Sequence, residues 1–144
     1  MAEVREEVSK KITTFDTNGN ENGYLVELFK NGKYTIAYMT VTKPGAFKGY
    51  HLHKIRAARY ICIKGKLKIT LFINGKFEEH ILDSSKPKRL FIPSNTPTGI
   101  ENIGDEDAFL INYPNPPYDP DSKDEQVDYT REELEKGKFK EKLK

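Results

Sequence analysis

The sequence has no tryptophan and a single cysteine, Cys62, in its 144 residues, and only three histidines. One cysteine excludes an intrachain disulfide and suits a reducing compartment, so a cytoplasmic protein is expected. Cys62 lies in an apolar run, which favours a buried small hydrophobe over a nucleophile. No apolar run approaches the roughly 18 residues of a membrane span, and the first seven residues lack the charged-then-apolar order of a secretion signal. Charge of one sign is missing too: 24 basic residues meet 22 acidic ones, leaving +2. Only five of the basic residues are arginine. So small and dispersed a balance gives no footprint for nucleic acid, and neither nucleic acid nor membrane is an expected partner.

What is present is strand after short strand. The alternation in Leu67-Lys68-Ile69-Thr70-Leu71-Phe72-Ile73 puts its leucines and isoleucines on one face, and Asn74-Gly75 makes a hairpin turn into Phe77–Leu82. Strands are also expected over Tyr24–Phe29, Tyr34–Thr42, Ala58–Ile63, Lys88–Ile92, Thr98–Asn102 and Ala108–Tyr113, with Ile12 and Phe15 available for an edge strand. Many short strands with little helix between them point to an antiparallel sandwich or barrel. Thr130-Arg131-Glu132-Glu133 fits a capping box, so a short helix is expected from Arg131. One domain over residues 1–129 followed by a helical, Lys-rich tail over 130–144 is the expected organisation.

The chemistry-bearing stretch is Gly45-Ala46-Phe47-Lys48-Gly49-Tyr50-His51-Leu52-His53-Lys54. In a strand His51 and His53 share one surface, with Tyr50 and Leu52 on the other. Such a pair suits a metal site, an acid–base site or a polar corner of a barrel.

With Gly65 twelve residues beyond His53, this stretch resembles the first motif of the cupin superfamily, and Pro93-x-Asn95-x-x-Thr98-x3-Asn102 resembles the second. The resemblance implies an all-β cupin jelly-roll barrel with the short C-terminal helix appended. Metal-binding cupins add to the two histidines a glutamate and a further histidine; here Ala58 and Thr98 stand in those places. Two histidines alone make a weak divalent site, so metal-free function with no cofactor is expected. A metal-binding alternative needs substitute ligands such as Glu101 or His80.

A closer resemblance, over residues 20–120, is to dTDP-4-keto-sugar 3,5-epimerases, where dTDP is thymidine diphosphate. Asn22-Gly23-Tyr24-Leu25-Val26-Glu27 is similar to their Arg-Gly-x-Phe-x-Glu strand. Lys48-Gly49-Tyr50-His51 resembles their Arg-Gly-Leu-His, and Leu90-Phe91-Ile92-Pro93 their Leu-x-Ile-Pro. The segment around Tyr118 resembles their Tyr-x-Pro. The resemblance implies that His51 is the catalytic base and Tyr118 the general acid. It also implies a nucleotide-linked 4-keto-6-deoxy sugar as substrate. Gly49-Tyr50-His51-Leu52-His53-Lys54 is similar as well to the Gly-Phe-His-x-His-Lys of dTDP-sugar 3,4-ketoisomerases, which makes His53 a second acid–base group. The carboxylate that orients the epimerases' histidine lies in a later segment, which this chain is expected to lack.

A ketone acidifies the neighbouring C–H bonds, and histidine titrates near neutrality without unusual tuning. The developing oxyanion wants positive charge or a donor. Lys48, Lys54 and Arg59 are the candidates for that charge or for the diphosphate, although alternation sets Arg59 opposite Ala58, Tyr60 and Cys62. Glu27 is available to accept a hydrogen bond, and Tyr60 to wall the cavity. A homodimer that hides a sheet edge is expected, and a sugar-nucleotide binding module without turnover is the remaining alternative.

Overall fold

In the computed structural model, residues 4, 6, 8–31, 35–115 and 125–138 are described. Eleven strands and one helix follow one another among them: β1 (Lys11–Phe15), β2 (Glu21–Asn31), β3 (Thr35–Thr42), β4 (Phe47–His53), β5 (Ala58–Lys64), β6 (Lys66–Ile73), β7 (Lys76–Asp83), β8 (Arg89–Ile92), β9 (Thr98–Asn102), β10 (Ala108–Asn112), β11 (Gln126–Asp128) and α1 (Arg131–Glu135). They form two antiparallel sheets, a six-stranded one in the order β1-β2-β3-β10-β5-β8 and a five-stranded one in the order β11-β4-β9-β6-β7. This is the all-β cupin jelly roll with a short C-terminal helix that the sequence leads one to expect.

Local chemistry sets these elements. Between β6 and β7, Asn74 and Gly75 both take positive φ (52° and 76°), as a two-residue hairpin turn requires. Leu67, Ile69 and Leu71 of β6 face inward, where they meet Cys62 of β5, Leu110 of β10 and Ile100 of β9 in one core between the sheets. Burying each leucine or isoleucine there contributes about 1.5–3 kcal/mol. Cys62 is part of that core, a free buried thiol whose pKa burial pushes up.

The opposite face of the five-stranded sheet has its own apolar cluster. Tyr50 and Leu52 of β4 pack there with Tyr129 and with Leu134, the buried residue of α1. The capping box is present: Thr130 Oγ1 accepts from Glu133 N–H at 3.1 Å, and Glu133 Oε1 accepts from Thr130 N–H at 3.1 Å. The helix thereby holds the end of β11 against β4. Among the described residues no helix is long and apolar enough to cross a membrane.

Candidate functional site

Register decides which β4 side chains face the core. Lys48 pairs with Ile100 of β9 and His51 with Thr98, so three steps along β4 match two along β9. The extra residue is a bulge at Gly49-Tyr50. Without it, alternation would put Lys48 and His51 on opposite faces; with it, both face the other sheet. Gly49 is required there: its φ is +124°, and a Cβ on it would lie 2.6 Å from the Thr98 carbonyl oxygen. The inward row then runs Leu71, Thr98, His51, Asp128 across β6, β9, β4 and β11.

Asp128 completes that row on β11, the last described strand of the sheet. Its Oδ1 lies 2.6 Å from His51 Nδ1, and Gln126 Nε2 donates to the same oxygen at 3.0 Å. The hydrogen bond from His51 leads the causes that draw the Asp128 carboxyl down to about 2, against burial. An ionised carboxylate only accepts, so the hydrogen in that contact belongs to Nδ1 and neutral His51 presents a bare Nε2. The ring is partly open to solvent, with its side chain 44% exposed.

His53 is set deeper. Its Nδ1 lies 3.2 Å from Glu125 Oε2 and 2.9 Å from Arg56 Nη2. Arg56 also grips Glu125, giving its backbone N–H to Oε1 at 3.0 Å and its Nε–H to Oε2 at 3.1 Å. Burial pushes the Glu125 carboxyl up, but the Arg56 hydrogen bonds and charge outweigh it and hold the group below the usual carboxylate range. Burial first, then the Arg56 charge, lower the His53 pKa against the pull of Glu125.

Lys48 is buried on the same inner face. Its Nζ donates to the Val41 carbonyl oxygen of β3, in the other sheet, at 2.9 Å, and burial draws its pKa down to about 8. On the six-stranded sheet the register aligns Glu27, Tyr38, Asn112 and Tyr60 in one row. Tyr60 packs against the core, and burial raises its pKa to about 12, with Arg56 close enough to oppose that. Lys54 is half-buried beyond His53, its backbone N–H donating to the Glu125 carbonyl at 2.7 Å. Arg59 is placed away from this group: it is exposed on the outer face, over the Phe91 ring at 5.5 Å. Tyr118 lies outside the described residues.

The expectation that no carboxylate orients His51 is corrected by Asp128. Neither Asp128, Glu125 nor Arg56 is singled out by a sequence reading centred on the histidines. The available signal is Glu125-Gln126-Val127-Asp128 just ahead of the capping box. That is a run short enough to pass for a loop, and only the β4 edge makes it a strand.

The described donors do not fit a divalent cation. Ala58 supplies none, and the Thr98 hydroxyl donates to the Thr96 carbonyl at 3.0 Å. His80 pairs with Glu78 on β7, and Glu101 turns outward to Lys68. Among the described residues no group of three or more His, Cys, Asp and Glu side chains gathers around one point. A cavity of about 400 Å³ opens on the far side of β4, lined by Phe47, Tyr50, Glu101, Tyr129 and Arg131. The outward orientation of Tyr50 separates that cavity from the histidine face.

A family described as "Polysaccharide biosynthesis C-terminal domain" matches residues 6–126. A protein of Haloferax volcanii described as a probable low-salt glycan biosynthesis epimerase, Agl13, is 26% identical over 130 residues, covering 81% of this chain and 83% of the relative. Among solved structures, the capsular polysaccharide assembling protein CapF from Staphylococcus aureus superposes with a TM-score of 0.69 at 24% identity, over 82% of this chain and 34% of that one. A Bacillus subtilis oxalate decarboxylase variant does so with a TM-score of 0.62 at 18% identity, over 79% of this chain and 29% of that one. The chain thus spans about a third of the CapF chain. At these identities the structural likeness establishes the fold and nothing finer.

Proposed function

Because the chain belongs to the polysaccharide biosynthesis C-terminal domain family, we propose that it is a sugar isomerase of the 3,5-epimerase type. Its substrate is a 4-keto-6-deoxy hexose linked to a nucleoside diphosphate, thymidine diphosphate in the first instance. The observation that carries the reading is the 2.6 Å contact between His51 Nδ1 and Asp128 Oδ1 on the inner face of β4. It leaves Nε2 as a base whose tautomer is fixed before substrate arrives. The glycan-epimerase description of the Haloferax volcanii relative supports the same class.

In the proposed reaction His51 Nε2 takes the proton from the carbon beside the ketone. The C–H electron pair forms the C=C bond of an enolate, and the carbonyl π pair moves to oxygen. Lys48, still largely protonated at pH 7 with its pKa at about 8, supplies the interior positive charge that an oxyanion or phosphate wants. Tyr118 is assigned the return of a proton from the opposite face of the ring. Glu27 and Tyr60, in one row of the facing sheet, are assigned to the substrate wall, and Lys54 is assigned to substrate binding. The chemistry consists of proton transfers and needs no cofactor. The enzyme is proposed to act in the cytoplasm as a homodimer.

A 3,4-ketoisomerase is the second reading, favoured by His51 and His53 standing on one strand face, about 7 Å apart along the backbone. Two acid–base groups on one side of a ring suit a proton shuttle between neighbouring positions. Both readings are tested by incubating the protein with thymidine-diphospho-4-keto-6-deoxyglucose in heavy water and following the sugar by NMR. Deuterium at C3 and C5 with the ketone unmoved is the expected result. Deuterium at C3 with the ketone relocated there selects the ketoisomerase, and no exchange despite binding overturns both.

A further inference from the structure

His53 Nδ1 has two neighbours that make opposite demands. Arg56 Nη2, at 2.9 Å, can only donate. Glu125 Oε2, at 3.2 Å and held ionised by its arginine, can only accept. One ring nitrogen cannot satisfy both. With a hydrogen on Nδ1, two N–H groups collide at the shorter contact; without one, a lone pair faces a carboxylate oxygen at the longer contact. Glu125 is already held by its arginine: Oε1 accepts the Arg56 backbone N–H, and Oε2 accepts Nε–H and lies 3.1 Å from Nη2. Nη2 carries two hydrogens, so with one toward Glu125 it still has a donor for the ring nitrogen at 2.9 Å. Burial keeps the ring neutral, so that one of the two tautomers must be chosen.

We infer that Arg56, clamped by Glu125, fixes His53 as the tautomer with bare Nδ1 and protonated Nε2, opposite to the tautomer that Asp128 imposes on His51. One strand face thereby presents a bare Nε2 on His51 and an Nε2–H donor on His53. For its chemical use this rests on the proposed function. As His51 removes the C–H proton and the electron pair passes through the new C=C bond to the ketone oxygen, His53 donates its hydrogen bond to that oxygen. Arg56 acts through the ring and is a positioning residue. A histidine pair with identical tautomers would offer two bases and no donor; the two carboxylate partners alone would give that arrangement, and Arg56 breaks the equivalence.

The test reads the tautomers directly. Protein labelled with ¹⁵N-histidine is examined at pH 8 by two-bond ¹H–¹⁵N correlation, with His51→Gln, His53→Gln and His80→Gln assigning the three rings. The expected spectrum has a lone-pair Nδ1 and a protonated Nε2 on His53, and the reverse on His51. A protonated Nδ1 on His53 in the wild type overturns the inference, whatever the variants do. Arg56→Met removes the guanidinium donor and leaves the Glu125 carboxylate as the acceptor beside the ring. In that variant His53 is expected to switch to Nδ1–H on Glu125, and kcat for deuterium incorporation to fall about 10- to 100-fold with KM within about twofold. An unchanged His53 tautomer in folded Arg56→Met overturns the assignment to Arg56. Opposed tautomers in a protein that exchanges no sugar proton would uphold this inference and remove the functional reading. Exchange with identical tautomers would do the reverse.

Discussion

Asp128 is more than half exposed at a sheet edge, a setting where an ion pair contributes little to stability. Its value is directional: one acceptor at 2.6 Å settles which nitrogen of His51 carries hydrogen. Asp128→Asn keeps the shape but offers no charge and allows the ring the wrong tautomer. The expected outcome is a fall in kcat for proton exchange of about 100- to 10,000-fold with KM little changed, read by deuterium incorporation into the sugar. Retention of the wild-type rate would remove Asp128 from the machinery. Lys48 makes a second prediction at this scale. Burial lowers its pKa from the ordinary 10.5 to about 8. Below pH 8 the folded and unfolded states both carry the charge, and the folded state bears the whole cost of burying it. Between pH 8 and 10.5 the folded protein sheds the proton while the unfolded chain keeps it, so that cost fades and stability rises with pH. Lys48→Met should therefore be more stable than the wild type at pH 7, by up to about 3 kcal/mol. The gap should close as pH rises through that window, as measured by urea denaturation at several pH values. A gap that does not vary with pH would show that the ammonium is not desolvated.

Two elements build the site, one of them bulged and the other only three residues long. In β4 the bulge at Gly49-Tyr50 brings Lys48 and His51 onto one face, and the positive φ of Gly49 together with its approach to Thr98 leaves no room for a Cβ. Gly49→Ala should cost about 2 kcal/mol or more of stability and lower exchange activity disproportionately, because β4 can relieve the clash only by shifting the register that aims His51. Denaturant midpoints and deuterium incorporation on the same sample test this; an active variant of wild-type stability would sink it. β11 is only three residues long and exists because β4 has a free edge to pair with. Tyr50 and Tyr129 exchange both backbone hydrogen bonds, at 3.0 and 2.8 Å, and α1 buries Leu134 just beyond. That docking carries Asp128 and Glu125 to the histidines from more than seventy residues away in sequence.

For the whole molecule, the sandwich closes its core between the sheets, and among the described residues the five-stranded sheet ends in β11, beside which the paired histidines sit on β4. The other sheet ends in β1, and near that edge Ile12, Phe15 and Phe29 are 42%, 62% and 71% exposed. Apolar residues beside an edge that no described strand pairs with suit a second copy of the chain. Sedimentation equilibrium is expected to give a dimer for the wild type and a shift toward monomer for Phe15→Glu/Phe29→Glu. A wild-type monomer at micromolar concentration would contradict the proposed assembly.

Much of this protein is fixed by sequence alone. Period-two alternation and turn residues placed β6, β7 and β9 to within a residue or so, and the capping box placed α1 at Arg131. Those signals are local: a strand's face and a helix's first turn depend on residues a few positions apart. His51 and His53 were legible for the same reason, being two residues apart on one strand. The tertiary structure decided the rest. Alternation alone would turn Lys48 away from His51, and only pairing with β9 reveals the extra residue that brings it back. The run Glu125–Asp128 ahead of the capping box is too short a signal to single out Glu125, Asp128 or Arg56, since a carboxylate in a short polar run looks the same whether it meets water or an imidazole. What each ring nitrogen does is set by contacts between segments far apart in the chain, and such contacts exist only once the sheets have formed.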